Sequence, residues 1–236
     1  ETLVGYAQSA MMRVLDRVSA AEYRWSKRTS SVNQQSAHQR RTGEVLTYAQ
    51  LCLELTQRIG EQRLEEAIAA AWETMPAGLD SRGRCLHIAR HLWSLSGKRG
   101  PAIMIYYSPP FIPHVAATPC ALHQAIHAIA DAHPELQLLV QEYFPLISDM
   151  SYLRLDPGIE TTALIANMPL WPDSPDQPAR PGSYALPLEA MRQLDLPVVN
   201  LGPYGKGAHQ AGERVLMSYS FGVVPQLIWE VIERLA

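Results

Sequence analysis

The sequence predicts a mixed α/β chain in two portions: a helix-rich, lid-like portion over residues 1–110, and an α/β portion over residues 111–236 in which a mixed sheet carries flanking helices. Three observations predict it. Across the first portion, apolar residues recur at helical spacing in segments cut by Gly or Pro. One β-rich run, Pro101-Ala102-Ile103-Met104-Ile105-Tyr106-Tyr107, follows and is closed by Pro109-Pro110. Beyond it, helical and strand-like patterns alternate. With 236 residues, 47% of them hydrophobic, the chain can build one large domain or two small ones with real cores.

The elements follow in order. Over residues 3–27, Ala7, Ala10, Met11, Val14, Leu15 and Val18 form one helical stripe, and the polar stretch from Thr29 to Gly43 reads as a loop. Thr47 and Gln50 have capping-box spacing ahead of the face Leu51, Leu55 and Ile59, which Gly60 ends. Leu64, Ile68, Ala71 and Met75 form a third stripe ending at Pro76, and Leu86, Ala89, Leu92 and Leu95 or Ser96 a fourth ending near Gly97. The strand at Ile103 to Tyr107 has an apolar edge that must be paired or covered, by neighbouring helices or by a second copy in a homodimer.

In the second portion, Thr118 as N-cap and Pro119 as first helical residue open a helix that Pro134 ends. Strands are expected at Leu136 to Tyr143, at Leu196 to Leu201 and, shorter, at Met217 to Phe221. A short helix is expected between Leu188 and Leu194, and a terminal one turns Leu227, Val231 and Leu235 inward. Prolines at 172, 175, 178 and 181 keep the intervening segment out of any sheet interior.

Composition removes several functions. Twenty basic and 23 acidic residues give a net charge of -3, so nothing attracts nucleic acid or an anionic membrane. No apolar run approaches the roughly 18 residues of a membrane span. Cys52, Cys85 and Cys120 are odd in number, widely spaced and set among apolar helical residues, which argues for a reducing, cytoplasmic setting rather than a disulfide framework. There is no Gly-x-Ser-x-Gly elbow and no phosphate-binding loop.

Chemistry concentrates in Gly202-Pro203-Tyr204-Gly205-Lys206-Gly207-Ala208-His209-Gln210-Ala211-Gly212-Glu213-Arg214-Val215, a glycine-rich loop presenting one imidazole. Imidazole is the commonest protein ligand for zinc, and glycines let backbone and substrate approach closely. Two other histidine pairs, His123 with His127 and His87 with His91, have the one-turn spacing that two metal ligands can share. They lack the Glu of a His-Glu-x-x-His motif, and Arg84 and Arg90 oppose a cation at the second. Both read as helix-surface histidines.

The pattern Gly-Pro-x-Gly-x-x-x-His-x-x-x-Glu-Arg-Val resembles the last metal-ligand motif of the M20 family of zinc peptidases and aminoacylases. Ile147-Ser148-Asp149-Met150-Ser151-Tyr152 resembles the Ser/Thr-Asp segment of its catalytic domain, and Ser108-Pro109-Pro110-Phe111-Ile112-Pro113 the exit from the lid's last strand. With Asn167-Met168-Pro169-Leu170-Trp171, the wording is most similar to an arginine-utilisation member of that family. The resemblance is good over residues 101–236 and loose over residues 1–100. It implies the carboxy-terminal half of an M20-like catalytic domain, with His209 as a ligand in a site of two zinc ions and a small amide or amino-acid derivative as substrate.

For Asp149 it implies a place beside the metal site, where the carboxylate orients a ligand or the loop; a turn residue capping its own backbone is the equal alternative. Glu213 and Arg214 are expected to fix the loop that carries His209. Gly202, Tyr204 and Gly205 are expected to border a substrate pocket. The family's His-x-Asp pair is missing, and Glu65-Glu66 lies in a helical pattern where a solvated face is expected. The chain therefore reads as the carboxy-terminal piece of a larger hydrolase, inactive by itself. The alternative class is a non-catalytic lid or dimerisation module that binds protein partners.

Overall fold

The computed structural model describes residues 2–28, 43–115, 119–142, 148–172 and 180–236. In chain order the elements are α1 (Thr2–Arg28), β1 (Glu44–Thr47), α2 (Tyr48–Ile59), α3 (Glu61–Glu73), α4 (Ser81–Leu95), β2 (Ala102–Ile105), α5 (Ala121–Ala132), α6 (Thr161–Ala166), α7 (Leu188–Leu194), β3 (Gly205–Lys206), β4 (Arg214–Val215) and α8 (Val224–Leu235). The chain is mixed α/β, rich in helix, with small sheets. It divides into two compact units, residues 1–110 with 160–185, and residues 111–159 with 186–236.

In the first unit, β1 and β2 form a two-stranded parallel sheet in the register Glu44↔Ala102 to Thr47↔Ile105. Parallel strands need a crossover, and α2, α3 and α4 supply it. The apolar strand at 102–105 is thus paired along one edge by a segment whose four residues are too few to show strand periodicity. Thr47 closes β1 and at once caps α2: its hydroxyl accepts from the Gln50 amide at 3.2 Å while the Gln50 side chain accepts from the Thr47 amide at 2.7 Å. Gly60, at φ = 88°, ends α2 and opens α3, a left-handed turn that suits glycine.

Leu46, Leu51, Leu55, Leu64, Ala71, Cys85, Ile88, Leu92 and Leu170 form the core of this unit. On α4 the buried face is Cys85, Ile88, Ala89 and Leu92, continued by Ser96 at the helix end; of the expected stripe, Leu86 lies outward, and of its alternatives Leu95 and Ser96 it is Ser96 that is buried. Two overlapping apolar series one residue apart run along that helix, and packing against α2 and α3 selects between them. On α1, Met11 and Leu15 are buried and Val14 is exposed. Burial pushes the Cys52 thiol up to about 11, against a hydrogen bond with Tyr48, and raises that of Cys85; both behave as small apolar residues.

Residues 160–185 fold with this unit through Asn167. Its carbonyl accepts the Tyr107 amide at 2.8 Å just past β2, its Oδ1 accepts the Ala49 amide at 3.0 Å in the first turn of α2, and its Nδ2 donates to the Ala163 carbonyl at 2.9 Å. Met168 and Leu170 then enter the core, and the Tyr184 amide returns to the Leu170 carbonyl at 2.8 Å.

In the second unit, α5 and α8 pack together through Ile126, Ile129, Leu227 and Val231. α7 covers residues 188–194 as the sequence predicts, burying Leu188 and Met191. The expected cap Thr118 lies outside the described residues; α5 begins after Cys120, with Pro119 ahead of the helix. Three strand expectations are corrected. Residues 134–136 form a 3-10 turn ended by Gln137 at φ = 50°, and residues 137–142 and 196–201 carry no ladder. Residues 218–223 form a π-helical turn that runs into α8, so its aromatic and β-branched composition is overridden by the following helix. The mixed sheet expected here is, among the described residues, only the β3–β4 hairpin. Leu235, expected inward, is exposed at the last turn of α8.

His133, at the end of α5, joins it to α8. Its Nε2 lies 3.0 Å from Glu230 and its Nδ1 3.2 Å from Glu135. Glu230 first and Glu135 second raise the imidazole above its ordinary 6.5 by favouring the charged form. A raised folded value means stabilisation that is complete below 6.5 and lost as pH rises through the folded value. The thermal midpoint of the wild type is therefore expected to fall above pH 6.5 relative to that of His133→Gln. Parallel midpoint-against-pH curves for the two proteins would refute the linkage. Asn167→Ala should cost about 1–3 kcal/mol in denaturant melts, because truncation strands a partly buried helix-terminal amide. A loss below about 0.5 kcal/mol, the range of ordinary surface changes, would show that water replaces the carboxamide.

Candidate functional site

The glycine-rich stretch forms a β-hairpin rather than a strand-to-helix loop. Gly205 pairs with Val215 and Lys206 with Arg214, antiparallel, and the Leu216 amide extends the pairing to the Tyr204 carbonyl at 2.8 Å. Gly205 permits the close approach: a Cβ there would lie 2.4 Å from the Arg214 carbonyl oxygen. Across the tip, the Gln210 amide bonds the Gly207 carbonyl and the Glu213 amide the Gln210 carbonyl, each at 3.0 Å. Gly207 (φ = 69°) and His209 (φ = 61°) both adopt left-handed backbone.

His209 stands at this tip with its side chain exposed. Glu213 holds it by the backbone, its carboxylate accepting the His209 amide at 3.2 Å. The Arg214 guanidinium reaches the Gly212 carbonyl at 3.4 Å. Both charged residues therefore brace the turn. His209 is thus a non-glycine residue in left-handed backbone, tethered by a side chain four residues on. Asp149 begins a 3-10 turn, Asp149–Tyr152, that Ser148 caps by accepting the Met150 amide at 3.4 Å; the Asp149 carboxylate is exposed.

A cleft of about 680 Å³ opens in the second unit. Ile126, Ile129 and Leu138 contribute apolar wall, and His123, Ser148, Ser151, Asn200 and Tyr219 polar groups. Gly202 and Tyr204 border it; Gly205, His209 and Asp149 do not. Of the histidine pair at helical spacing, His123 lines the cleft, while His127, one turn further along α5, is exposed and does not line it. Ser151 belongs to the Ser/Thr-Asp segment and Tyr219 to an expected strand, and neither hydroxyl carries a periodic or motif signal of its own that would place it in a cleft. Among the described residues, no three His, Cys, Asp or Glu side chains come together in a group able to hold a metal. Nor, among them, is any helix long and apolar enough to cross a membrane.

Two curated relatives match the chain. It is 34% identical over 189 residues to the uncharacterized protein YqjN of Bacillus subtilis (strain 168), a match covering 78% of this chain and 32% of YqjN. It is 31% identical over 159 residues to protein RocB of the same organism, covering 64% of this chain and 26% of RocB. The chain is homologous to both and spans a third or less of their lengths. No protein-family model and no solved structure matches it.

Hairpin and histidine separate cleanly by mutation. His209→Ala removes an exposed ring and is expected to shift stability by no more than about 0.5 kcal/mol. Gly205→Val should break the hairpin, because the added carbons collide with backbone that cannot move aside. Amide chemical shifts at 204–216 distinguish the two. Loss of hairpin shifts in His209→Ala, or their survival in Gly205→Val, would contradict the geometry.

Proposed function

We propose that this chain is part of a metal-dependent hydrolase of the M20 kind that cleaves an amide-type bond in a small, arginine-related compound. The single observation that carries the reading is the placement of His209: the one histidine of an M20-like ligand motif stands exposed at the tip of a braced hairpin, in a chain homologous to RocB. Solvent exposure and a fixed backbone are what a ligand needs to meet donors from elsewhere.

The described residues do not fit a zinc ion by themselves, since zinc sites use three or four protein ligands and only one imidazole is presented here. The remaining donors and the general base are assigned to other parts of the protein, and no step of hydrolysis is routed through this chain alone. Its share is positional. Glu213 and Arg214 hold the hairpin, Gly202 and Tyr204 connect it to the border of the cleft, and the turn at Asp149 stands beside Ser148 on the cleft wall.

In calorimetry the 236-residue chain is expected to show no zinc site tighter than about 1 μM, as one imidazole offers too few bonds. The natural protein carrying this chain should release amine from N-acyl or amide derivatives of arginine. Chelation should abolish that activity, and His209→Ala should lower it by more than about 100-fold, the upper range for losing a group that merely orients a ligand. Hydrolysis indifferent to both chelator and His209→Ala would overturn the proposal.

A further inference from the structure

We draw no further inference here: the strongest candidate, the exposed apolar stripe Ile228, Trp229, Ile232 and Leu235 along α8, is an unpartnered helix face, and nothing in the structure shows what covers it.

Discussion

Every peptide group removed from water needs a hydrogen-bond partner, and in this chain that constraint decides which β-patterned segments become strands. Residues 102–105 find Glu44–Thr47 and form a parallel pair across a three-helix crossover. Residues 136–141 and 199–201 are mostly apolar and alternate in burial, but no backbone ladder joins residues 138–141 or 199–201 to other described residues. Propensity proposes strands and pairing disposes of them, which is why β-propensity is so dependent on context.

Polar groups at helix ends do much of the joining. Arg58, in the last turn of α2, donates to the carbonyls of Leu95 and Ser96 at the end of α4, where a cation also meets the negative end of the helix dipole. Lys98, just beyond, pairs with Glu44 of β1 and Glu54 of α2. Asn167 performs the same task with neutral groups, spanning α2, α6 and the exit of β2. His133 and Glu230 are the counterpart in the second unit. Apolar burial supplies the stabilisation, while these contacts fix which helix ends meet.

The hairpin follows a different logic. Its strands are two residues long, too short to carry a core, and its turn is held by Glu213, Arg214 and the permissive backbone of Gly205 and Gly207. The hairpin has little packing of its own, and His209 stands exposed at its tip. The cleft has the opposite character, with walls belonging to the α5–α8 core and His209 outside it. Motif and cavity are thus separate features, linked through Gly202 and Tyr204.

The sequence by itself determined the features that depend on neighbours in the chain. The capping box at Thr47, the stop at Gly60, the helix at 188–194 and the ends of α5 at Pro134 are all local chemistry, and each is present. So is the glycine-rich character around His209, because close backbone approach and left-handed φ demand residues without bulk. Only the tertiary structure decided the pairing of 44–47 with 102–105, the choice of Cys85 over Leu86 for the core and the reach of Asn167 to Ala49. The conversion of 217–221 from strand pattern to helical turn was settled there too. Each depends on residues tens of positions away or on a neighbouring helix, and neither periodicity nor propensity within a window contains that information.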